Sequence, residues 1–492
     1  MSGSMKAFTE ALPVKSPETR GEPVPLVVDL DGTLLKTDLL LETLLVLLKK
    51  NPGCIFQLLL WWLKGKAYFK HQIAARTSLD AGSLPYQANF VDYLRAQRAA
   101  GRTIVLATAS DAKPAREIAD HLQLFDHVLA SDGVTNLAGG IKRDRLVSQF
   151  GEKGFDYAGN ESRDLAIWAS ARKAIVVNPS PRVRLRVSRN AEVERVFEDR
   201  RRTLADYARP LRSGHWLKNM LVFVPVLAAH RINEIDLLLK SLVAFFVFGL
   251  FASAGYFIND LFDVAADRRH PTKRLRAFAS GNLPLAYGMA MAVLLAAVGV
   301  LVSAVASYHV LEIALAYFGL TLAYSLYCRN VVILDVIILA GLYSMRIVAG
   351  CVATAIWPSD WLLAFSTFLF FSLALVKRYG ELAVMRRIDA DGAKARAYEA
   401  SDGELLAAMG IASGYLAVLV LALYINTGAA QSLYGHYEFI WFLCPLLLYW
   451  ITHLWLIAHR GKMPDDPVLF AVTDRTSRIL ILLMAIVGIL AL

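Results

Sequence analysis

Residues 238–267 read LLKSLVAFFVFGLFASAGYFINDLFDVAAD, a nearly uncharged apolar run that ends in clustered acidic side chains. About 20 apolar residues in a helix cross the ~30 Å hydrocarbon core of a bilayer, so the run predicts a membrane span. At about 100° per residue, four polar side chains at its end share one face of a continuous helix; they are Asn259, Asp260, Asp263 and Asp267. Clustered anions at a membrane helix end are costly unless a cation offsets them, so we expect Mg²⁺ here, held against a diphosphate. A solvated helix end is the alternative.

Eight further apolar segments in the C-terminal half are long enough, or nearly so, to cross a bilayer. The sequence predicts about nine transmembrane helices, at roughly 217–231, 238–260, 285–306, 309–327, 331–353, 360–379, 405–425, 438–458 and 476–492. The composition agrees, because 56% of the 492 residues are hydrophobic, 19% are charged and the mean hydropathy is +0.45. These values exclude a purely soluble or disordered protein.

Basic residues indicate the orientation of these helices, because Lys and Arg are enriched in cytoplasmic loops. The loops after the second, sixth and eighth segments are basic, whereas the intervening loops are nearly free of Lys and Arg. We therefore expect the N-terminus and the acidic cluster on the cytosolic side of the cytoplasmic (inner) membrane. The basic residues behind the net charge of +10 would then face the cytosol as well. No basic, aromatic-interleaved module for nucleic acid is visible. The four widely spaced cysteines support neither a disulfide framework nor a zinc site.

The N-terminal half has the pattern of a soluble α/β domain. Residues 1–23 are polar, without the apolar core of a secretory signal, and are expected to be disordered. Over residues 24–180, short β-branched runs such as Ile104–Leu106 alternate with helical patterns, which is typical of a parallel sheet with crossover helices. A charged linker is predicted at 181–206 and a membrane domain at 207–492.

Two carboxylates follow the first predicted strand, in the sequence Asp29-Leu30-Asp31-Gly32-Thr33. At positions i and i+2 of a strand end, both side chains can point into one site where the backbone turns. Such a pair suits aspartyl-phosphate chemistry: one carboxylate attacks phosphorus, the other protonates the leaving alcohol, and Mg²⁺ neutralises the charge between them. A lone Asp-x-Asp pair is equally compatible with a structural or chance origin.

Three further elements follow in order: Thr108 after a strand, Lys142, and the acidic stretch Gly159–Asp164. Together with the Asp-x-Asp-Gly-Thr sequence they resemble the four motifs of the haloacid dehalogenase-like phosphatases, over about residues 25–180. The resemblance implies a Rossmann-like haloacid dehalogenase fold with a helical cap from Leu39 to about Arg98. It also implies roles for the motif residues: Asp29 as nucleophile, Asp31 as general acid/base, Thr108 and Lys142 as phosphate ligands, and Asp29, Asp31, Asn160 and Asp164 as ligands of Mg²⁺.

Asn160 stands where the family pattern has an aspartate. An amide oxygen carries no charge and is expected to weaken Mg²⁺ binding, so an active phosphatase and a degenerate domain of the same fold both stay open. Within the predicted cap, the apolar stretch Cys54–Leu63 is too short to span a bilayer. We interpret it as core of the cap, with a membrane-facing patch as the alternative.

The C-terminal half resembles a different family. The sequence Asn-Asp-x-x-Asp-x-x-x-Asp at 259–267 is similar to the first aspartate motif of the UbiA-type intramembrane prenyltransferase superfamily, and the resemblance covers about residues 205–492. Most members with aromatic acceptors carry a second aspartate-rich motif after the sixth helix, where this chain has Lys377-Arg378-Tyr379-Gly380-Glu381. This basic loop resembles the decaprenyl-phosphate phosphoribosyltransferase branch, as do Arg209-Pro210-x-Arg212, Trp216-x-Lys218-Asn219, Tyr324–Arg329, Asp466-Pro467 and Asp474-Arg475.

That resemblance implies phosphoribosyl pyrophosphate as donor, a polyprenyl phosphate of decaprenyl type as acceptor, and Mg²⁺ on Asp260, Asp263 and Asp267. The candidates for binding the substrates and their phosphates are Lys218, Arg274, Tyr324, Arg329, Arg346, Lys377 and Arg378. Arg346 is an intramembrane arginine and is therefore interpreted as functional, with a structural ion pair to Asp335 as the alternative. Lys377 and Arg378 are alternatively positive-inside anchors.

Three functions are compatible with these patterns. The first is a bifunctional enzyme whose membrane half makes polyprenyl-phosphoryl-ribose 5-phosphate, a cell wall precursor, and whose soluble half removes the 5-phosphate. The second is a prenyltransferase that moves an isoprenyl group from its diphosphate onto an aromatic or small acceptor, and the missing second aspartate motif argues against it. The third is a membrane carrier or scaffold with a vestigial acidic motif. The sequence does not determine the lipid length, the downstream glycoconjugate or the oligomeric state, and a homo-oligomer is compatible with it.

Overall fold

The computed structural model describes residues 23–199, 202–388, 394–395, 397–464 and 466–492. The stretch 1–23, predicted to be disordered, lies outside these residues except for its last position. The chain forms two compact units: one consists of Met1–Ala208 with Asp260–Ala290, the other of Arg209–Asn259 with Met291–Leu492. The acidic residues of 260–267 therefore belong to the same unit as the N-terminal half.

A six-stranded parallel sheet lies at the centre of the first unit. Its strands are β1 (Leu26–Val28), β2 (Ile104–Asp111), β3 (His127–Ser131), β4 (Asp156–Gly159), β5 (Ala174–Val177) and β6 (Val193–Phe197). The strand order is β3-β2-β1-β4-β5-β6. β1, β4 and β5 are buried at every position, which explains why they read as continuous apolar runs and not as alternating ones. The parallel sheet confirms the predicted α/β architecture and is compatible with a Rossmann-like fold.

In the described part of this unit, nine α-helices connect or follow these strands. They are α1 (Leu39–Lys50), α2 (Ile55–Leu63), α3 (Lys66–Ala75), α4 (Ala88–Ala99), α5 (Ala112–Leu122), α6 (Gly140–Phe150), α7 (Leu165–Ser170), α8 (Pro181–Asn190) and α9 (Leu204–Ala208). The helices α1 to α4 lie between β1 and β2, over the region in which the cap was predicted. α1 begins where the side chain of Asp38 accepts a hydrogen bond from the backbone N–H of Leu41 at 3.1 Å, an ordinary N-cap.

The predicted linker contributes regular structure to the first unit. Helix α8 begins at Pro181, with Ser180 as N-cap accepting from the N–H of Val183. Strand β6 then pairs in parallel with β5. The ordered α/β domain therefore extends to Phe197, well beyond the boundary predicted at 180, because a helix rich in arginine on its exposed face resembles a charged linker in sequence.

Helix α2 is packed on one side only. Leu58 and Trp61 share an apolar cluster with residues of α1 and α3. Six large apolar side chains of the helix are exposed: Ile55, Phe56, Leu59, Leu60, Trp62 and Leu63. The interpretation of this stretch as cap core is therefore wrong for most of its residues, because its neighbours cover one face of a helix that is apolar on both.

The remaining helices include the long apolar ones. They are α10 (Val224–Ala228), α11 (Ile235–Phe262), α12 (Val264–Arg269), α13 (Leu285–Ala306), α14 (Tyr308–Leu326), α15 (Leu334–Thr354), α16 (Asp360–Ile388), α17 (Gly403–Ile425), α18 (Gly428–Leu433), α19 (Leu443–His459), α20 (Pro467–Thr473) and α21 (Arg475–Ala491). Two short antiparallel strands, β7 (Lys394–Ala395) and β8 (Tyr398–Glu399), lie between α16 and α17.

Seven helical stretches among the described residues are long and apolar enough to cross a membrane, so the prediction of nine spans is wrong. The segment 217–231 is divided between a 3₁₀ helix, Ser213–Phe223, and the five-residue α10, which carries Pro225 in its first turn. The segment 476–492 forms α21, whose 17 residues make it shorter than the seven candidate spans. Apolar composition alone did not distinguish these short helices from spans.

Helices of the second unit approach one another closely at small residues. The largest apolar cluster of this unit includes Tyr343 of α15, Phe370 of α16 and Leu406 of α17. A Cβ atom at Gly410 of α17 would lie 2.0 Å from the ring of Trp455 on α19. Glycine at this position therefore permits the contact between α17 and α19, as small residues commonly do in membrane helix pairs.

Candidate active sites

The four N-terminal motifs meet at the carboxyl ends of parallel strands. Asp29 and Asp31 follow β1, Thr108 lies in β2, and Asn160 follows β4. This edge of an open α/β sheet is where ligands usually bind. Gly32 has a φ of +76°, and a Cβ atom there would lie 2.1 Å from Nδ2 of Asn160. Glycine is therefore required for the loop after the acidic pair to turn this close to β4.

Lys142 connects the nucleophile candidate to the acidic stretch after β4. Its Nζ, on α6, donates to Oδ1 of Asp29 at 2.6 Å and lies 3.2 Å from the hydroxyl oxygen of Tyr157. The Tyr157 hydroxyl donates to Oδ1 of Asp164 at 2.8 Å. Oδ2 of Asp164 accepts two backbone N–H groups of the loop after β4, each at 3.0 Å. All four side chains are buried or nearly so, and they form one continuous polar network.

The two carboxyl groups of the Asp-x-Asp pair have different surroundings. Asp31 accepts the backbone N–H of Leu39 and the hydroxyl of Ser110, both at 2.7 Å. Burial raises the pKa of Asp29 to about 6, although the charge of Lys142 lowers it. Burial, with the charge of Asp38, raises the pKa of Asp31 to about 7. Asp29 is therefore better suited to be an anion near neutral pH, and Asp31 is better suited to carry a proton.

Thr108 and Asn160 are engaged with neighbouring residues of the same site. The Thr108 side chain is fully buried, and its Oγ1 accepts the backbone N–H of Ser110 at 3.0 Å. Oδ1 of Asn160 accepts the hydroxyl of Thr33 at 3.3 Å. The structure therefore brings together all the residues predicted for this site: Thr108 is linked to Asp31 through Ser110, and Asn160 lies beside Gly32.

Sequence reasoning missed three polar residues of this site. Ser110 lies two positions after Thr108 in the same strand, a spacing that was readable in the sequence. Tyr157 and Lys70 belong to no recognisable motif. Lys70, on α3, donates to the carbonyl oxygen of Ala109 at 2.6 Å, and burial lowers the pKa of its ammonium group. Residues of this kind become visible only when the fold brings α3 next to β2.

The acidic motif of the C-terminal half lies at a break between two helices. α11 ends at Phe262, Asp263 has φ of −95° and ψ of 1°, and α12 begins at Val264. The prediction that one continuous helix carries all four polar side chains on one face is therefore wrong at Asp263. Asp260 and Asp267 are buried, and both contact Nη1 of Arg276, at 3.4 and 2.8 Å. Arg276 belongs to the basic loop after the second predicted span, and the structure makes it part of the acidic site.

Asp263 contacts helix α1 of the same unit. Nζ of Lys49 lies 3.1 Å from Oδ1 of Asp263 and 2.9 Å from the carbonyl oxygen of Phe262. The three carboxylates therefore do not converge as predicted, since Asp263 faces a lysine while Asp260 and Asp267 share an arginine. Among the residues that the structure describes, no group of three or more His, Cys, Asp or Glu side chains is arranged to hold a metal ion.

In the second unit, Lys218 forms an ion pair with Asp466, and both side chains are at most 12% exposed. Nδ1 of His215 lies 3.1 Å from Oδ2 of the same carboxylate. Burial alone would raise the pKa of Asp466, but the hydrogen bond with His215 and the charge of Lys218 outweigh it and hold the pKa below its usual range. The predicted Lys218 is therefore part of a compact charged cluster with the Asp466-Pro467 sequence.

Arg346 is buried in α15 and is held by neutral groups. Its Nε donates to Oδ1 of Asn219 at 2.9 Å, its Nη2 to the hydroxyl of Tyr317 at 2.7 Å, and its Nη1 to the carbonyl oxygen of Leu342. The alternative of a structural ion pair with Asp335 is wrong. Among the described residues, the hydrogen-bond partners of this guanidinium carry no negative charge.

Asp335 instead pairs with Arg378, which is fully buried in α16. Nη1 of Arg378 lies 2.6 Å from Oε2 of Glu381, and Nη2 donates to the hydroxyl of Tyr324 at 2.6 Å. The hydroxyl of Tyr398 donates to the other oxygen of Asp335 at 2.5 Å. The alternative of a surface anchor is therefore wrong for Arg378, because its charge is balanced by two carboxylates inside the protein.

The other predicted ligands occupy varied environments. Arg274 is exposed on the 3₁₀ helix Lys273–Leu275 of the first unit. Arg329, Lys377 and Asn259 are each half-buried. The charge of Lys377 contributes to the lowered pKa of Asp466, so this lysine belongs electrostatically with the Lys218 cluster.

The sequence of residues 220–490 matches the UbiA prenyltransferase family. The chain belongs to the UbiA prenyltransferase family. It is 34% identical over 456 residues to the uncharacterized protein y4nM of Sinorhizobium fredii, a match that covers 92% of this chain and 88% of that protein. It is 36% identical over 200 residues to a decaprenyl-phosphate phosphoribosyltransferase of Corynebacterium glutamicum, covering 40% of this chain and 59% of that protein. A solved structure of a UbiA homolog from Archaeoglobus fulgidus bound to GPP and Mg²⁺ aligns with 57% of this chain and 99% of its own, at 17% identity and a TM-score of 0.43.

Family membership identifies the C-terminal part as an integral membrane transferase domain, which confirms the predicted membrane and transferase classes. The aspartate motif of 259–267 lies inside the matched residues. The chain spans about three fifths of the length of the decaprenyl-phosphate phosphoribosyltransferase that it matches. The y4nM similarity is longer than the family match and includes residues of the α/β domain as well.

Proposed function

We propose that this UbiA family member is a bifunctional membrane enzyme. Its membrane domain would transfer 5-phosphoribose from phosphoribosyl pyrophosphate to a polyprenyl phosphate, and its α/β domain would then remove the 5-phosphate to give polyprenyl-phosphoryl-ribose. Both reactions would use Mg²⁺ and occur at the cytosolic face of the inner membrane. Similarity to decaprenyl-phosphate phosphoribosyltransferases supports the donor and the acceptor, and the four assembled motifs support the phosphatase step.

The surroundings of Arg346 give the main structural support for the transferase assignment. Arg346 is a buried guanidinium whose described hydrogen-bond partners are all neutral. A buried charge without a counter-ion is costly, and within a membrane span it commonly marks a substrate site. A phosphorylated lipid acceptor supplies such an anion, in addition to the diphosphate of the donor. The sequence Lys377-Arg378 stands where a second aspartate motif would lie, so the chain lacks there the carboxylates of a second metal site.

The acidic motif has suitable donor chemistry for Mg²⁺. This ion usually takes one or two carboxylates and completes its shell with water and substrate phosphates. Asp260 and Asp267 present two buried carboxylates to one cationic group. Bound there, Mg²⁺ would withdraw charge from the departing pyrophosphate while C1 of the ribose becomes oxocarbenium-like. The acceptor phosphate is already anionic, so no general base is required.

The chemistry of the phosphatase step follows from the two carboxyl groups after β1. Asp29 would attack phosphorus, and its pKa of about 6 leaves it mostly ionised at neutral pH. Asp31, with a pKa of about 7, would give its proton to the leaving sugar alcohol and later accept one from water. Lys142 keeps the nucleophile oriented through its hydrogen bond of 2.6 Å. Mg²⁺ would neutralise charge between the carboxylates and the phosphate.

A prenyltransferase with an aromatic or small acceptor is the second candidate function. The family assignment itself favours it, since it is the reaction after which the family is named. The same acidic motif would then hold the diphosphate of an isoprenyl donor. A carrier or scaffold has no such support, because the aspartate motif and its family are those of a transferase.

The test uses purified full-length protein in detergent with Mg²⁺. One reaction contains labelled phosphoribosyl pyrophosphate and a polyprenyl phosphate, and the other contains labelled isoprenyl diphosphate and an aromatic acceptor. We expect label in the lipid fraction of the first reaction and its loss in the Asp260→Asn variant. Label only in the product of the second reaction would replace the proposed function with the prenyltransferase.

A further inference from the structure

Helix α2 of the α/β domain presents an apolar face to its surroundings. At 100° per residue, its six exposed apolar side chains fall within an arc of about 160°; they are Ile55, Phe56, Leu59, Leu60, Trp62 and Leu63. The opposite side carries Leu58 and Trp61, which pack against α1 and α3. The helix is therefore packed against the domain by one face and largely exposed on the other.

The exposure of this face is large for a folded domain. The six side chains are between 57% and 81% exposed. A helix that is apolar all round is normally covered on both faces, and contiguous exposed apolar patches mark interaction sites. The helix has nine residues, about 13 Å of length at 1.5 Å per residue, so it cannot span a bilayer. Its dimensions instead fit a helix lying in the plane of a membrane interface.

The charge around α2 narrows the choice of partner. Between residues 43 and 79 the chain has no aspartate or glutamate, and its charged residues are Lys49, Lys50, Lys64, Lys66, Lys70 and Arg76. Lys50, Lys64 and Lys66 are exposed at the two ends of α2. Lysines beside an apolar helix face are attracted to anionic lipid head groups, and a tryptophan such as Trp62 is favoured at the boundary between head groups and acyl chains.

We propose that α2 docks into the interface of the bilayer that the membrane helices cross, and that its partner is an anionic phospholipid surface. The exposed apolar side chains would enter the boundary of the acyl region, and the flanking lysines would contact lipid phosphates. This contact would hold the α/β domain at the membrane, where a lipid-linked phosphoester is accessible. The proposal does not depend on the proposed reaction, because it rests on the surface of α2 alone.

A site-directed spin label tests the docking in the full-length protein. Cys328→Ser and Cys444→Ser remove the two less buried native thiols, and Leu60→Cys introduces a label on the exposed face. The protein is placed in nanodiscs of phosphatidylcholine with or without phosphatidylglycerol. Paramagnetic relaxation by dissolved oxygen, which partitions into lipid, is compared with relaxation by a water-soluble nickel chelate. Val134→Cys, 90% exposed elsewhere on the domain, is the matched control.

Docking predicts that the label at Leu60 is relaxed several-fold more by oxygen than by nickel chelate, whereas the label at Val134 shows the reverse. Phosphatidylglycerol should increase the ratio, and Lys64→Glu with Lys66→Glu should abolish that increase. Leu59→Glu, on the exposed face, should return the Leu60 label to water without disturbing the packed side of α2. Equal access of nickel chelate to both labels would overturn the proposal. Protection from both reagents together with spin–spin broadening would also overturn it, because a second copy of the chain would then cover the face.

Discussion

Arg268 and Glu42 form a buried bidentate ion pair, with nitrogen–oxygen distances of 2.6 and 3.1 Å and side chains at most 5% exposed. Arg268 lies one residue after the acidic motif, and its Nε also donates to the carbonyl oxygen of Ala279 at 3.0 Å. Glu42 lies on α1 and accepts the hydroxyl of Thr37 at 2.8 Å. The loop that follows the aspartate motif of the transferase is therefore fixed to the α/β domain.

Glu42→Gln should destabilise this loop, because removing one partner leaves a buried arginine charge uncompensated. The expected cost is about 3–5 kcal/mol, seen as a lower melting temperature in detergent, with a parallel loss of transferase activity. Asp80→Asn is the control, since it breaks the neighbouring but exposed pair with Arg269, for which about 1 kcal/mol or less is expected. Equal melting temperatures of the two variants would show that the Glu42 pair does not stabilise the loop.

Asp260→Asn and Asp267→Asn should each reduce transfer by at least about 10²-fold, because charge stabilisation at a metal-bound leaving group is worth several kcal/mol. Asp263→Asn should reduce transfer less, because its carboxylate contacts Lys49, whereas the other two contact Arg276. Hydrolysis of a phosphoester by the α/β domain should be unchanged in all three. Asp236→Asn, at the exposed first turn of α11, serves as the control and should transfer at the wild-type rate. Near wild-type transfer by Asp260→Asn and Asp267→Asn would exclude these two carboxylates as ligands of the catalytic metal.

Lys142→Met should shift the pH dependence of phosphoester hydrolysis as well as its rate. Burial raises the pKa of Asp29 to about 6, and Lys142 opposes that rise. Without the lysine the pKa of Asp29 rises further, so the ionised nucleophile is lost at a higher pH. The acidic limb of the rate profile should therefore move to higher pH, and the measurement is hydrolysis as a function of pH for the wild type and the variant. An unmoved acidic limb would contradict the assignment of Asp29 as nucleophile.

Asn160→Asp should lower the Mg²⁺ concentration needed for half-maximal hydrolysis, because a carboxylate binds Mg²⁺ more strongly than an amide oxygen. The side chain lies beside Gly32 and accepts the hydroxyl of Thr33, and an aspartate of the same shape can keep that hydrogen bond. Titration of Mg²⁺ against the hydrolysis rate gives the comparison. A higher Mg²⁺ requirement in the variant would show that Asn160 does not act at the metal.

The sequence predicted the strands and helices that depend on the local pattern of apolar residues. Continuous β-branched runs identified the buried parallel strands, and seven of the apolar segments correspond to helices long enough to cross a membrane. The residues of the N-terminal motifs also assembled as expected. Asp29, Asp31 and Asn160 follow strands whose carboxyl ends lie at the same edge of the sheet, Thr108 lies within a strand, and Lys142 contacts Asp29 from α6.

Contacts between residues distant in the sequence were not predictable. Lys49 and Asp263 are 214 positions apart. Asp335 pairs with Arg378 and not with Arg346, and this choice of partner depends on how α15 and α16 pack. No proline or glycine lies next to Asp263, so the sequence contained no signal for the helix break there. The exposed face of α2 was missed because apolar composition is the same for a core helix and for a helix at an interface.

The most direct test of a coupled transferase and phosphatase is mass spectrometry of the lipid made from phosphoribosyl pyrophosphate and a polyprenyl phosphate. The wild type should yield polyprenyl-phosphoryl-ribose, whereas Asp29→Asn, which lacks the nucleophile, should accumulate the same lipid with one additional phosphate on the ribose. Asp260→Asn should yield neither product. If the wild type retains the 5-phosphate at every Mg²⁺ concentration, the α/β domain does not act on this lipid and the two reactions are not coupled.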